Sequence, residues 1–183
     1  MITADQLKRI SPGTPLSVCE TFVPHINNYC PKYGIDTPVE LASFLSQVLH
    51  ESGGFKWMRE IWGPTKAQLR YEGRSDLGNT VAGDGKKFMG RGPIQITGRS
   101  NYARMSKDMF GDERLLDTPE LLVQPEYGIW SACIYWGWRK LDITDDDNSI
   151  DKETKAVNGG YNGLEDRKAY FERAKNELNI FFS

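Results

Sequence analysis

The stretch TPVELASFLSQVLHESGG, from Thr37 to Gly54, decides how this chain is read. Thr37 and Glu40 form a capping box, with Pro38 at the first helical position. Leu41, Phe44, Leu45, Val48 and Leu49 then recur at helical spacing and make one apolar face. Gly53-Gly54 supplies the stop, because glycine takes the left-handed conformation without a Cβ penalty. The stretch predicts a strong amphipathic helix ending in His50 and Glu51. Glu51 directly follows the apolar face, so it is expected at a partly desolvated rim. A desolvated carboxyl is the kind that can keep a proton for donation.

Outward from this helix, other helix signals recur. Thr3 with Gln6 is a second capping box, ahead of Leu7 and Ile10. Phe22, Ile26, Tyr29, Cys30 and Tyr33 have helical spacing, with Pro24 expected as a start or a kink. Further helices are predicted over Ser100 to Phe110, Glu120 to Val123, Glu126 to Trp138, Lys152 to Val157 and Leu164 to Leu178. Between them, Gly63 to Pro93 is rich in glycine and charge and lacks a sustained period, apart from a short helix near Thr65 to Tyr71. Irregular segments this long inside compact domains are usually functional or disordered, and this one carries aromatics. The one strand signal is a short run from Pro93 to Thr97. The pattern predicts an all-α or mostly α protein, read as one domain over residues 1–183.

Composition sets bounds. Of 183 residues, 39% are hydrophobic and 26% charged, an ordinary globular balance. The net charge of -2 gives no global attraction to nucleic acid or to an anionic membrane. No apolar run approaches the roughly 20 residues needed to cross a bilayer. Met1 to Pro15 lacks a charged segment followed by an apolar one, so no secretion signal is expected. Cys19, Cys30 and Cys133 are too few and odd in number for a disulfide scaffold. Cys19, Cys30 and His25 lie close together but lack a C-x-x-C pair and a fourth zinc ligand, so the cysteines are expected as small buried residues. No metal or cofactor is expected.

The carboxylates suggest chemistry. Nine residues separate Glu51 from Glu60, which on a straight helix would point them in opposite directions. The Gly53-Gly54 break lets the chain fold back across a cleft instead. Two carboxyls across a sugar are what glycoside hydrolysis needs: one protonates the leaving oxygen, the other activates water or stabilises the oxocarbenium ion. A second constellation is Gly90-Arg91-Gly92-Pro93-Ile94-Gln95-Ile96-Thr97, followed by Asn101-Tyr102. Its glycines permit close backbone approach. Gln95, Thr97 and Asn101 offer neutral hydrogen-bonding groups suited to hydroxyls and acetamides. An extended Pro93 to Thr97 would put Gln95 and Thr97 on one face.

Taken together these blocks resemble the family nineteen glycoside hydrolases, the chitinases and the related phage or prophage endolysins. His50-Glu51-Ser52-Gly53-Gly54 carries the resemblance, then Gly90 to Thr97 with Asn101-Tyr102, then Val157-Asn158-Gly159-Gly160. It spans roughly Pro38 to Asn176. It implies a lysozyme-like, two-lobed helical fold with a substrate cleft and an inverting mechanism, with the carboxyls about 6.5–9.5 Å apart. Glu51 matches the general acid, Glu60 the base of short-loop members, and Thr97 the residue that holds the attacking water. Gln95 and Asn101 match substrate-binding positions, and Asn158 lies in the family's asparagine-glycine-glycine turn. Plant members place the second acid later, which makes Glu72 the rival of Glu60.

The remaining signals are weighed against this reading. Asp142 to Glu153 has the acidic look of a calcium loop but lacks its glycine, and a solvated loop is the better account. The glycines from Gly78 to Gly92 match no phosphate-binding pattern. His50 is expected to orient Glu51 or cap its helix and to lie against substrate. Tyr71 and Trp62 are expected in the cleft, and the tryptophans of the Tyr127 to Trp138 helix mostly in the core. Basic residues such as Arg59, Lys86 and Arg91 cluster in the first half, which suits an acidic polymer. The expected function is therefore a monomeric endolysin-like muramidase acting on peptidoglycan glycan strands, without nucleic-acid partner or stable membrane insertion. It is expected to be made in a bacterial cytoplasm and to act in the periplasm or wall after the membrane is permeabilised. A chitinase is the alternative, and a non-catalytic glycan-binding module a third.

Overall fold

The computed structural model describes residues 1–139 and 149–180, and of residues 149, 153, 157 and 158 only the backbone. The elements are α1 (Ala4–Ile10), α2 (Leu16–Tyr29), α3 (Pro38–Ser52), α4 (Lys66–Leu69), α5 (Asp84–Lys87), α6 (Arg99–Phe110), α7 (Arg114–Asp117), α8 (Pro125–Trp138), α9 (Ser149–Asn158) and α10 (Leu164–Glu177). Short 3-10 turns occupy Cys30–Tyr33, Ser75–Leu77 and Pro119–Val123. Among the described residues no sheet forms, and extended pairing is limited to isolated bridges of Arg91 with Arg59 and with Ile96.

Helix α3 starts and stops where its residues dictate. The Thr37 hydroxyl accepts from the Glu40 amide at 3.2 Å, and Glu40 accepts from the Thr37 amide at 3.0 Å. Gly53 and Gly54 end the helix at φ of 58° and 70°. Leu41, Phe44, Leu45, Val48 and Leu49 are buried, each contributing about 1.5–3 kcal/mol relative to exposure. Helix α2 begins at Leu16, so Pro24 is neither its start nor its end but an interior residue.

Two apolar clusters form the lobes. The first gathers Leu7, Ile26, Phe44, Val48, Ile129 and Phe171 from α1, α2, α3, α8 and α10. The second gathers Phe88, Ile96, Tyr102, Met105, Leu115 and Ile134 around α6 and α7. Helix α8 supplies both, which is why its sequence is apolar all round and not on one stripe. Tyr33, Ile94 and Trp130 pack against both clusters and mark their junction. Cys19, Cys30 and Cys133 are free and buried, as small apolar residues would be. The acidic run from Asp142 to Glu153 lies largely outside the described residues.

Candidate active site

Glu51 stands in the last turn of α3 with its side chain 25% exposed. Arg167 of α10, almost fully buried, reaches it with one guanidinium nitrogen and reaches Gln47 Oε1 with another. Gln47 lies one helical turn before Glu51, so both acceptors share a face and one planar fork serves them. The Gln47 amide in turn donates to Thr154 Oγ1 at 3.4 Å, which ties α9 into the same network. Beside it, His50 Nδ1 lies 2.6 Å from Asp166 Oδ2. Helix α10 starts hard against the His50 ring. A Cβ on its N-cap residue, Gly163, would fall 2.1 Å from His50 Cε1.

Glu60 is gripped by a different set of groups. Its Oε1 accepts from Gln68 Nε2 at 3.0 Å and from the Tyr71 hydroxyl at 3.3 Å. Its Oε2 accepts from the Gly90 amide at 3.0 Å, and its own amide donates to the Gly90 carbonyl at 2.8 Å. Three donors converge on a group that donates to none of them, the arrangement an acceptor-only carboxylate requires. Burial, and then the adjacent Glu60 charge, push the Tyr71 phenol above its ordinary range. Tyr71 also lies 6.3 Å from Trp62, ring to ring.

Gly90 joins this group to the next. Gln95 Oε1 would lie 2.5 Å from a Cβ at Gly90 and Thr97 Oγ1 3.3 Å from it, so only glycine admits both. Gln95 donates to the carbonyls of Trp57 (3.2 Å) and Gly92 (2.9 Å). The Thr97 hydroxyl donates to the Gln95 carbonyl at 2.9 Å. Its proton is thereby committed, and its lone pairs remain to accept from a water. Asn101 Nδ2 donates to the Thr97 carbonyl at 2.8 Å.

Two open depressions flank this strip. One, about 690 Å³, is lined by Lys56, Trp57, Arg59, Glu60, Trp62 and Lys86, among others. The other, about 310 Å³, is lined by Gln95, Thr97, Asn101, Arg104, Trp138 and Arg139, among others. The structure thus joins Glu60 with Tyr71, and Gln95 with Thr97 and Asn101. It joins Glu51 and His50 to α10. Among the described residues no hydrogen bond directly connects the Glu51 group with the Glu60 group.

The structure departs from the sequence reading in several places. Pro93 to Thr97 is not extended: Gly92 and Gln95 have φ of 78° and 55°, so the segment turns. Gln95 and Thr97 are brought together by that turn and not by strand alternation. Glu72, the rival carboxylate, accepts from the amides of Gly83 (2.6 Å) and Gly85 (2.9 Å). It satisfies the open N–H groups at the start of α5, a capping arrangement. Trp136 is core, but Trp138 lines the smaller depression. Asn158 closes α9, and its side chain lies outside the described residues. Arg167 was missed entirely. Its only trace in sequence is Gln47, a polar residue on the apolar face one turn before Glu51.

With this geometry in view, comparison with known proteins defines the class. The fold is that of family 19 chitinases. A bacterial family 19 chitinase superposes with a TM-score of 0.69 at 19% identity, covering 98% of this chain and 96% of that one. Chitinase C from Streptomyces griseus also gives 0.69 at 20% identity, covering 97% and 76%. In sequence, the chain is 30% identical over 163 residues to a glycosyl hydrolase family 19 domain-containing protein of Haemophilus influenzae, covering 74% of this chain and 78% of that protein. It is 29% identical over 148 residues to an endochitinase of Arabidopsis thaliana, of whose length it spans 52%. No family model matches the chain. The chain belongs to glycosyl hydrolase family 19 and is a glycoside hydrolase.

Proposed function

We propose that this glycoside hydrolase is a muramidase that cleaves the β-1,4 glycan backbone of bacterial peptidoglycan by inversion, in the manner of an endolysin. Glu51 is the general acid. It gives its proton to the glycosidic oxygen as the bond to the anomeric carbon breaks. Glu60 is the general base. It takes a proton from the water that attacks the anomeric carbon from the opposite face, so the product carries the inverted configuration. Thr97 holds that water through its uncommitted lone pairs. Gln95, Asn101, Tyr71, His50 and Asn158 contact the sugars. Arg167 keeps Glu51 aimed.

The observation that carries the peptidoglycan reading is the lining of the larger depression. Lys56, Arg59 and Lys86 line it together with Glu60, and Arg59 also lies 3.6 Å from Glu120. Peptidoglycan carries carboxylates on its peptide arms, whereas chitin carries no anion for these cations to meet. Its place of action on this reading is the periplasm or cell wall, in lysis of a host cell.

A chitinase is the second reading, favoured by the names of the curated relatives and served by the same acid and base. Mass spectrometry of fragments released from purified peptidoglycan, with Glu51→Gln as control, separates the two. Disaccharide-peptides with reducing muramic-acid ends, absent with the variant, support the muramidase. Silence on peptidoglycan with cleavage of chitin oligomers moves the activity to chitin.

A further inference from the structure

Most arginines near the candidate site are matched with a carboxylate: Arg91 with Glu120, Arg99 with Asp84 and Arg167 with Glu51. Arg104 and Arg139 are not. Among the described residues no carboxylate pairs with either, and both are exposed and line the depression that holds Gln95, Thr97 and Asn101.

Both guanidinium groups are nevertheless held. The Arg104 Cζ sits 4.0 Å from the centre of the Trp138 ring, and Trp138 is itself fixed by donating from Nε1 to Asp108 at 2.7 Å. Arg139 lies 4.9 Å from the Tyr135 ring and donates from Nε to that residue's hydroxyl at 2.8 Å. Stacking fixes the plane of a guanidinium without using its edge N–H groups; in Arg139 Nε and Nη2 both donate to the Tyr135 hydroxyl, which leaves the Nη1 side to meet an acceptor. Stacking also covers one face of the Trp138 ring.

We propose, on the basis of the peptidoglycan reading above, that Arg104 and Arg139 form an anion-reading subsite that binds a carboxylate on the lactyl-peptide arm of the glycan. A neutral N-acetylglucosamine polymer offers hydroxyls and acetamides, which Gln95, Thr97 and Asn101 suit. It offers no anion to match the charge of two held guanidinium groups. A carboxylate on an arm projecting from the strand meets both. The pair therefore separates acidic from neutral glycan by charge, and Arg104 and Arg139 are specificity residues with no part in the proton transfers.

The test compares the wild type with the double variant Arg104→Gln, Arg139→Gln. Substrates are peptide-bearing peptidoglycan strands, strands stripped of peptide so that the lactyl carboxylate is bare, and N-acetylglucosamine hexamer. Hydrolysis is followed by reducing ends, and binding of soluble strands is measured in the Glu51→Gln background at low and high salt. The double variant should lose roughly tenfold or more in kcat/KM on acidic strands and change the hexamer rate by less than about twofold. The salt dependence of strand binding should shrink with it. Loss on only the peptide-bearing strands places the carboxylate on the peptide, loss on only the stripped strands places it on the lactyl group, and loss on both means that the subsite takes either. Equal loss on all three substrates, or none on the acidic strands, overturns the assignment while leaving the muramidase standing. If the wild type binds strands through these arginines but cuts none, the muramidase reading falls and the subsite stands. If it neither cuts nor binds them, both fall.

Discussion

Arg167 and Glu51 lie 116 residues apart in the chain, and the guanidinium of one holds the carboxylate of the other. The same guanidinium holds Gln47, so removing it strands two acceptors that the fold has partly or wholly buried. Arg167→Ala is expected to cost about 3 kcal/mol of stability, the low end for a broken buried pair because Glu51 is partly exposed. It should also lower kcat roughly a hundredfold through misplacement of the acid. Arg167→Lys keeps the charge but not the two-armed fork, and should fall between. Chemical denaturation and steady-state kinetics check both effects; a variant with wild-type kcat would remove Arg167 from the positioning role.

Glu60 and Glu72 are separable by their partners. Glu60→Gln should reduce kcat by about 10²–10⁴, the usual contribution of a general base. Glu72→Gln should leave kcat near wild type and lower the melting temperature instead, by the equivalent of about 1 kcal/mol for a weakened cap. The reverse pattern would exchange their roles. Far-UV circular dichroism of both proteins excludes misfolding as the cause.

Gly90→Ala places a methyl where Gln95 Oε1 sits, 2.5 Å from the new carbon. The Gln95 side chain must leave, and the Gly90 amide that serves Glu60 shifts with the strain. Activity should fall tenfold or more, with stability reduced by about 1–3 kcal/mol as for other overpacked sites. A variant of full activity would show that Gln95 and Glu60 do not depend on this close approach.

Asp84 is 2% exposed and is forked by Arg99 through bonds of 2.7 and 2.6 Å. The Arg99 hydrogen bonds hold its carboxyl below the ordinary range, and Arg91 does the same for Glu120. Each carboxyl binds its proton more readily in the unfolded chain than in the folded one. Their stabilisation is therefore complete above the ordinary carboxylate range and is lost as pH falls through it to the depressed folded value. Urea denaturation should show Asp84→Asn clearly less stable than wild type at pH 7, with the gap narrowing towards pH 3. A gap independent of pH would mean that the ionic form of Asp84 is not what stabilises the fold.

Much of the scaffold was legible because its signals are local. The capping boxes at Thr3 and Thr37, and the glycine stop after Ser52, are decided within four residues, and the structure places them where the sequence does. The helical fold and the family followed from blocks of similar compactness. The turn at Gln95 was not legible, since a glutamine at positive φ leaves no mark in composition and Pro93 to Thr97 scores as a strand. Nor was the partner of Glu51, because α10 reads from sequence as an ordinary polar surface helix. Glu72 was ambiguous for the converse reason: a carboxylate that caps a short helix and one that faces a sugar are the same letter until the amides around them are placed.

The grip of α10 on α3 has a further consequence, for the timing of synthesis. A ribosome releases Glu51, Glu60 and Thr97 long before it releases Arg167. Until α10 has emerged and docked, the carboxylate at position 51 has no guanidinium to aim it. On the proposed mechanism a nascent chain, or one clipped before α10, lacks most of its activity, and the onset of glycan cleavage is tied to the docking of that helix.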